Sequence, residues 1–260
     1  MISSVGRFRG KSAVVTGASR GIGKTIAFAL ANEGCDVVVS YEKQAHLAEE
    51  VATAIRKMNV RALALECDVS KRNEVELLFK NTIDEFGKLD ILVNNAGIFL
   101  GASLMQTTEE LWNRTLSVNL TGVLLCTQTA ARQMMKRKEG SIVNISSNSG
   151  LGIAVGGEAA YAVSKAAVVQ LTKTAAFELG EFGINVNCVA PGAIETDMLR
   201  RNMTDEEYSE LIASKKKLSS RGLIGKPEDV ANAVLFFADE KSRFITGKTL
   251  LVDGGRRDFL

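Results

Sequence analysis

Short runs of β-branched residues alternate with longer helical stretches along most of this 260-residue chain. Several of the short runs are apolar on both faces, as expected when helices cover both sides of a parallel sheet. The predicted strands are 12–16, 36–40, 61–66, 90–94, 141–146, 184–189 and 249–252. The predicted helices lie near 21–34, 44–58, 71–86, 108–137, 158–182 and 228–238. This alternation predicts an α/β fold with one doubly wound parallel sheet of about seven strands.

We expect residues 1–260 to form a single domain, because no linker, low-complexity tract or internal repeat interrupts the pattern. The stretch 195–226 breaks the alternation, since it is long and charged and follows the carboxyl end of a strand. Ligands of open α/β sheets bind at that edge. We therefore predict that 195–226 is a substrate lid, and a passive surface excursion is the alternative.

Composition excludes several classes of function. Lys and Arg number 32 against 30 acidic residues, and a net charge of +2 argues against a nucleic-acid partner. No run approaches the about 20 apolar residues that span a bilayer, so we expect a cytoplasmic protein without membrane attachment. The four cysteines are widely spaced, which indicates buried thiols rather than metal ligands. The single histidine, His46, lies in a polar helical stretch, so neither a zinc site nor a Ser-His-Asp triad is expected.

The segment TGASRGIG lies between the first predicted strand and the first predicted helix. Its glycines, Gly17, Gly21 and Gly23, have the spacing GxxxGxG rather than GxGxxG. Glycines at such a turn permit close backbone approach, and the following helix offers free amides to a pyrophosphate. The segment therefore predicts a dinucleotide site in a Rossmann-type sheet, with a purely structural turn as the alternative.

The charges near the adenosine ribose bear on the choice between NADPH and NAD. An acid at the end of the second strand would accept the 2′-hydroxyl of NAD and repel a 2′-phosphate. Ser40 and Tyr41 occupy that place, and Arg20 in the glycine turn could pair with a 2′-phosphate. Glu42, one residue further on, argues for NAD. NADPH is favoured, with NAD as the alternative.

The segment YAVSK places Tyr161 four residues before Lys165 in a predicted helix, so the two side chains share a face. An unperturbed phenol titrates near about 10, and a neighbouring ammonium favours the phenolate. We therefore expect Lys165 to lower the pKa of Tyr161 toward the range that suits general acid–base catalysis. Taken alone, such a pair is more often a half-exposed ring beside a solvated charge.

Five segments follow one another along the chain: TGASRGIG, NNAG (94–97), NISS (144–147), YAVSK and PGAIETDM (191–198). Over about residues 10–255 the chain resembles the short-chain dehydrogenase/reductase family. Within it the chain is most similar to the 3-oxoacyl-[acyl-carrier-protein] reductases, through the first and last of these segments and the closing LVDGG. The resemblance implies a catalytic tetrad of Asn119, Ser147, Tyr161 and Lys165. Ser146 and Ser149 are the neighbours that could be confused with the catalytic serine.

The glycine turn and the resemblance together indicate the residues that contact the cofactor. They are Gly17, Ser19, Arg20, Gly21, Ile22, Gly23, Tyr41, Asp68, Val69, Asn95, Ala96, Gly97, Tyr161, Lys165, Pro191, Gly192, Ile194 and Thr196. No metal is expected.

The resemblance implies that NADPH transfers a hydride to a ketone while Tyr161 supplies the proton. Ser147 would steady the charge on the substrate oxygen, and Asn119 would position a water through its main chain. We expect a 3-oxoacyl-[acyl-carrier-protein] reductase of fatty acid synthesis. The alternatives are a dehydrogenase of a sugar, polyol, steroid or small ketone, for example one like glucose 1-dehydrogenase, and a non-catalytic dinucleotide-binding regulator. The intact tetrad disfavours the regulator.

Two surface features bear on partners. The segment ARQMMKRKEG carries four basic residues that could receive an acidic acyl carrier protein, although a basic helix end is usually just solvated. Phe182 stands where acyl-carrier reductases often have a basic residue, which argues against such a partner.

The helices at 108–137 and 158–182 have broad apolar faces that predict a homo-oligomer. The resemblance implies a homotetramer or a homodimer.

Overall fold

One parallel sheet forms the centre of the computed structural model, which describes residues 6–152, 156–200 and 203–257. The strand order is β3-β2-β1-β4-β5-β6-β7. Every neighbouring pair is parallel. This confirms the predicted doubly wound, Rossmann-type sheet. The strands are β1 Ser12–Val15, β2 Asp36–Tyr41, β3 Ala62–Glu66, β4 Ile91–Asn94, β5 Gly140–Ile145, β6 Ile184–Pro191 and β7 Thr249–Val252.

Helices cover both faces of the sheet. They are α1 Gly21–Asn32, α2 Ala45–Arg56, α3 Arg72–Phe86, α4 Glu109–Leu116, α5 Gly122–Arg137, α6 Ala159–Leu179, α7 Asp197–Arg200, α8 Asp205–Leu218 and α9 Pro227–Ala238. The predicted helix over 108–137 is confirmed as a continuous helical run from Glu109 to Arg137, which contains a π-helical turn at Ser117–Thr121 between α4 and α5. The prediction of a helix to residue 182 is slightly long, since α6 ends at Leu179 and a 3-10 turn follows.

Alternate residues of the central strands enter two different hydrophobic clusters. Val15 and Val39 pack with the buried faces of α1, α2 and α9 on one side of the sheet. Val14 and Val38 pack with α3, α5 and α6 on the other side. All four valines are fully buried, and each contributes about 1.5–3 kcal/mol of transfer free energy. Burial on both faces is the reason that consecutive residues of these strands are apolar.

A chain of buried amides and hydroxyls joins the carboxyl ends of the middle strands to the helices. The Asn94 side chain donates to Thr127 Oγ1 at 3.1 Å and to Asn144 Oδ1 at 2.8 Å. The Asn144 amide donates in turn to Thr172 Oγ1 at 2.9 Å. These bonds tie β4 and β5 to α5 and α6, and they align the strand ends beneath the crevice where the sheet order reverses.

The segment 195–226 leaves the sheet edge and returns to it. The Glu195 amide donates to the Gly225 carbonyl at 2.9 Å, so the two ends of the excursion meet. Helices α7 and α8 form its body, and Thr204 and Glu207 make a capping box at the start of α8. Residues 201–202 of the predicted lid lie outside the described residues. The assignment of this excursion as a lid stays a prediction.

The cysteines and the histidine take ordinary places in the fold. All four cysteines are free and buried. The His46 side chain is exposed and lies 3.1 Å from Glu50 on the surface of α2.

Within the described ranges, no group of three or more His, Cys, Asp or Glu side chains could hold a metal ion. None of the helices in those ranges is both long enough and apolar enough to cross a bilayer.

Asp90 joins the amino ends of two central strands to the end of α5. This buried carboxylate accepts hydrogen bonds from the Ser12 amide and the Arg137 guanidinium, each at 2.8 Å, and lies 3.1 Å from Lys88 Nζ. Burial raises the pKa of Asp90, but the bonds from Arg137, Ser12 and Lys88 outweigh it and hold the pKa below its usual value.

Asp90→Ala is expected to lower the free energy of unfolding by about 3 kcal/mol at pH 7, because Arg137 and Lys88 lose a buried partner. A lowered pKa in the folded state stabilises the protein above the ordinary pKa, so this loss should fade as the pH falls below about 4. Urea denaturation at pH 7 and pH 3 measures both effects. Asp84→Ala, which removes an exposed pair with Lys80, is the control and should cost less than about 0.5 kcal/mol. Equal losses in the two variants at pH 7 would contradict the structural role of Asp90.

Candidate active site

The glycine turn packs against the segment NNAG that follows β4. Gly17 has a φ of +63°, and a Cβ there would lie 2.9 Å from Ala96 Cα. A Cβ on Gly23 would lie 2.4 Å from Asn95 Nδ2. The Asn95 side chain donates to the carbonyl oxygens of Thr16 and Gly17 at 2.9 and 3.0 Å. Neither glycine can therefore be replaced without moving the turn or the asparagine.

The amino end of α1 is open to a ligand. Its N-cap residue, Arg20, is extended, and its side chain makes no capping hydrogen bond. The first amides of a helix have no partner within the helix, so they and the helix dipole attract an anion. The site therefore fits the pyrophosphate of a dinucleotide. Ser19 precedes this helix end, and Ile22 anchors it by packing on the core.

The segment after β6 lies beside the glycine turn. The Gly192 amide donates to the Val252 carbonyl at 2.9 Å, which holds the end of β6 against β7. Ile194 is buried and bridges to Gly225. A Cβ on Gly21 would lie 3.8 Å from Thr196 Cγ2. The structure therefore brings together the two predicted cofactor segments, 17–23 and 191–196, that are far apart in sequence.

The ends of β2 and β3 form the other side of the crevice. Tyr41 is the last residue of β2, and Asp68 and Val69 follow β3. Val69 is buried and packs closely against Gly122. A Cβ added to Gly122 would lie only 2.7 Å from Val69 Cγ2. Asp68 accepts from the hydroxyl of Ser70 at 2.6 Å. All three predicted residues lie at the same sheet edge as the glycine turn.

Lys165 is buried beneath the carboxyl end of β5. Its Nζ donates to the Ile145 carbonyl oxygen at 2.8 Å, and only 4% of the residue is exposed. A Cβ on Gly97 would lie 3.3 Å from Asn119 Oδ1 and 3.4 Å from Lys165 Nζ, so these three residues meet. Burial lowers the pKa of Lys165 to about 8, because desolvation disfavours the ammonium.

The structure distinguishes Ser147 from the two serines that could be confused with it. Ser146 donates its hydroxyl to the Lys165 carbonyl at 2.7 Å. Ser149 donates its hydroxyl to the Glu158 carboxylate at 2.6 Å. Ser147 begins a 3-10 turn after β5, and its hydrogen bond with Tyr161 lowers the pKa of that phenol. Ser147 is therefore the hydroxyl that faces the phenol.

The expectation that Lys165 lowers the pKa of Tyr161 is wrong for this structure. Burial raises the pKa of Tyr161 to about 12, the bond with Ser147 lowers it, and the charge of Glu158 raises it further. Lys165 Nζ lies 5.8 Å from the centroid of the phenol ring, and its hydrogen bond goes to Ile145 instead. Desolvation by burial is therefore the largest influence on the pKa of the phenol.

Asn119 lies in the π-helical turn between α4 and α5 and is fully buried. Its Oδ1 accepts from the Ile98 amide at 2.8 Å. Its Nδ2 donates to the Ile98 carbonyl at 2.9 Å and to Ser164 Oγ at 3.1 Å. Both amide protons are engaged, so this geometry favours a role for the main chain of Asn119. Single π-turns inside helices frequently mark functional sites.

Two neighbours of the phenol were missed by sequence reasoning. The Phe99 ring meets the Tyr161 ring edge-on, with centroids 5.3 Å apart. Glu158 precedes α6, and a β-bridge pairs it with Ala102. The one available signal was the position of Glu158 three residues before the tyrosine. Nothing in the local sequence connects Phe99 to residue 161, because the contact depends on the path of the loop after β4.

This arrangement can bind a dinucleotide and deliver a proton beside it. The amino end of α1, the segment after β6 and the Ser147–Tyr161–Lys165 cluster all lie at the carboxyl edge of one sheet. The phenol is protonated at neutral pH, since its pKa is about 12. Lys165, with a pKa of about 8, is mainly charged at that pH.

Comparisons with known proteins identify close relatives over nearly the whole chain. A family model described as enoyl-(acyl carrier protein) reductase matches residues 17–257. The 3-oxoacyl-[acyl-carrier-protein] reductase FabG of Staphylococcus aureus is 43% identical over 247 residues, which cover 94% of this chain and 97% of the relative. The 3-oxoacyl-[acyl-carrier-protein] reductase of Synechocystis is 42% identical over 244 residues, which cover 94% and 95%.

Solved structures of similar proteins share the fold. A short chain dehydrogenase from Burkholderia cenocepacia, solved in complex with NADP, has a TM-score of 0.88 at 38% identity and covers 96% of this chain and 98% of its own. A 7α-hydroxysteroid dehydrogenase complexed with NADH and 7-oxo glycochenodeoxycholic acid has a TM-score of 0.91 at 35% identity and covers 98% of each chain.

Lys165→Met is expected to raise the free energy of unfolding at pH 7 by about 2 kcal/mol. Lowering the pKa from 10.5 to about 8 costs on the order of 3 kcal/mol, and losing the bond to Ile145 offsets about 1 kcal/mol of the gain. The folded state binds this proton less tightly than the unfolded chain. The penalty is therefore complete below pH 8 and disappears as the pH rises through 10.5.

Urea denaturation at pH 7 and pH 10 measures this difference. Lys173→Met, which removes an exposed lysine from the same helix, is the matched control and should change stability by less than about 0.5 kcal/mol. If the Lys165→Met protein is less stable than the wild type at pH 7, burial of the Lys165 ammonium does not destabilise the folded state.

Proposed function

The chain belongs to the short-chain dehydrogenase/reductase family, and from that premise we propose that it is an NADPH-dependent 3-oxoacyl-[acyl-carrier-protein] reductase. Members of this family are oxidoreductases that interconvert ketones and alcohols. One observation supports the proposal above all: the Ser147–Tyr161–Lys165 cluster, in which Ser147 and Lys165 are buried and Tyr161 is half-buried, shares a sheet edge with the open amino end of α1. The names of the relatives at 42–43% identity favour the 3-oxoacyl substrate.

The dinucleotide would be held along the whole carboxyl edge. The glycine turn and the first amides of α1 would bind its pyrophosphate, and Asp68 and Val69 its adenine. Residues 191–196 would contact its nicotinamide amide, and Lys165 its nicotinamide ribose. A bound NADPH supplies the hydride that reduces the carbonyl carbon. NAD is the alternative, and the two similar structures were solved with NADP and with NADH, respectively.

The protein's own residues supply the proton and stabilise the charges that form during the reaction. Tyr161 donates the proton of its hydroxyl to the carbonyl oxygen as the carbon accepts the hydride, and the ketone becomes a secondary alcohol. A pKa of about 12 keeps the phenol protonated at neutral pH, and an alkoxide is more basic than a phenolate, so the transfer is downhill. Ser147 donates a hydrogen bond to the same oxygen and stabilises its developing charge. The Lys165 ammonium then stabilises the phenolate until a proton from solvent, relayed through Lys165 by the water that Asn119 would position, restores the phenol.

Exposed apolar side chains on the two segments that follow the carboxyl ends of β4 and β6 favour a substrate with an apolar chain. Leu104 and Met105 lie on the loop after β4, with 74% and 93% of their surface exposed. Met198 and Leu223 lie on the 195–226 excursion and are also exposed. An acyl chain fits these surfaces. A steroid ketone, which the hydroxysteroid dehydrogenase binds, is the second candidate.

The basic segment before β5 supports the binding of an acyl carrier protein only in part. Arg132, Lys136 and Lys138 are exposed and could meet an acidic partner. Arg137 is engaged with the buried Asp90 instead, so it contributes to the fold. Phe182 packs against the core beside α6, in the place where related reductases often have a basic side chain. Acyl thioesters without the carrier protein are therefore part of the test.

Tyr161→Phe is expected to reduce turnover by about 100-fold or more, because the variant lacks the hydroxyl that donates the proton. Binding of NADPH, measured by fluorescence titration, should stay within about threefold of the wild type. Activity is followed as loss of NADPH absorbance with a 3-oxoacyl thioester, with and without acyl carrier protein. A panel of steroid, sugar and small ketones is run beside it. Full activity in the variant would refute the assignment of Tyr161 as proton donor. Turnover confined to the panel of other ketones would refute the assignment of a 3-oxoacyl substrate.

We also propose that the protein is a homotetramer, because two separate apolar surfaces are exposed. Val163 and Phe177 lie on α6, and Phe177 is 90% exposed. Phe236 and Leu250 lie on α9 and on the edge strand β7. Two self-complementary surfaces generate a closed tetramer with twofold axes, and pairing also covers the exposed sheet edge.

Light scattering after gel filtration is expected to give four times the chain mass of 27.9 kDa. Phe177→Glu should reduce the assembly to a dimer, since a buried carboxylate would disrupt only the α6 surface. Leu77→Glu, on the exposed face of α3, is the control and should leave the assembly unchanged. A monomeric wild type would contradict the proposal.

A further inference from the structure

Arg114 connects three segments at the adenosine end of the crevice. It lies in the last turn of α4, and its side chain is 38% exposed. Its Nη2 lies 3.2 Å from Glu42 Oε1, just after β2. Its Nη1 lies 3.3 Å from Ser70 Oγ and 3.7 Å from Asp68 Oδ2, just after β3. One guanidinium thus binds both loops that border the expected adenosine site.

Glu42 is the acid that argues against NADPH. It follows Tyr41 at the carboxyl end of β2, where a carboxylate would repel a 2′-phosphate. In this structure its Oε1 is paired with Arg114 and lies 3.3 Å from Lys43 Nζ. Lys43 is 76% exposed, so solvent screens its contribution more strongly than that of Arg114. Arg114 is therefore the main group that neutralises Glu42 and fixes its direction.

Asp68 is held by the same guanidinium. Burial raises the pKa of Asp68, but the hydrogen bonds from Ser70 and the charges of Arg114 and Lys71 outweigh it and lower the pKa. Asp68 therefore stays ionised, and its nearest partners are Ser70, Arg114 and Lys71. Without Arg114, Glu42 and Asp68 would face the adenosine end beside the more exposed Lys43 and Lys71, and Lys71 already lies 2.8 Å from the Glu74 carboxylate.

We propose that Arg114 is a positioning residue that determines cofactor specificity, because its pairing with Glu42 lets the site accept a 2′-phosphate. The inference rests on the proposed dinucleotide site. An unpaired Glu42 would lower the affinity for NADPH through like-charge repulsion, whereas NADH, which has a 2′-hydroxyl, would lose little. The ratio of the two affinities therefore reports the state of Glu42.

The test measures binding of NADPH and NADH to purified full-length protein by calorimetry, with no substrate present. Arg114→Met is expected to weaken NADPH binding about tenfold and NADH binding by less than about threefold. Adding Glu42→Gln to that variant should restore NADPH binding to within about threefold of the wild type. Arg114→Lys, which keeps the charge, should retain most of the preference.

Arg56→Met is the matched control. Arg56 makes a comparable pair with Glu49 on α2, and it also donates to the Ala62 carbonyl at the amino end of β3, so it lies at the opposite sheet edge. Its loss should leave both affinities unchanged. A merely structural role for Arg114 would weaken both dinucleotides equally, and Glu42→Gln would not rescue NADPH; either result overturns the inference. A wild type that binds neither dinucleotide would refute the proposed function itself.

Discussion

The hydrogen bond from the buried Lys165 ammonium to the Ile145 carbonyl is the interaction on which the candidate active site depends. Together with the bonds from Asn144 to Thr172 and from Ser146 to the Lys165 carbonyl, it holds α6 against the end of β5 and so helps to set the position of Tyr161 relative to Ser147. The same ammonium meets Gly97 and Asn119, which belong to the loop after β4 and to the π-helical turn. A charge so deeply buried destabilises the fold, and its retention is consistent with a functional rather than a structural role.

The two ends of the crevice use charge in different ways. At the adenosine end, Arg114, Glu42 and Asp68 are partly exposed and paired with one another, so their energies are modest and their effect is on selectivity. At the catalytic end, burial shifts the pKa of Tyr161 upward and that of Lys165 downward. Desolvation there keeps the phenol protonated and the lysine easily deprotonated. Discrimination between NADPH and NADH and proton transfer to the substrate therefore belong to separate environments along one sheet edge.

Much of the fold was predictable because its signals are local. Strands such as β2 and β6 have apolar residues on both faces because both faces are buried, and Gly17 and Gly23 are required by close contacts that any side chain would break. The π-helical turn at Asn119 was not predictable, because the apolar pattern of 108–137 continues through it. The direction of the pKa shift of Tyr161 was also missed, since spacing shows which charge is near but not how much water is excluded. The pairing of Arg114 with Glu42, 72 residues apart, depends on the tertiary fold.

The pKa of Tyr161 is the most direct test of the claim that desolvation controls the proton donor. The chain has only three tyrosines, so ring-carbon NMR of protein labelled at the tyrosine Cζ gives three titrations, and Tyr161→Phe assigns one of them. We predict that Tyr161 titrates near 12, with no ionisation at neutral pH. A Tyr161 resonance that titrates below the ordinary value of about 10 would show that the ammonium outweighs burial, and it would contradict that claim.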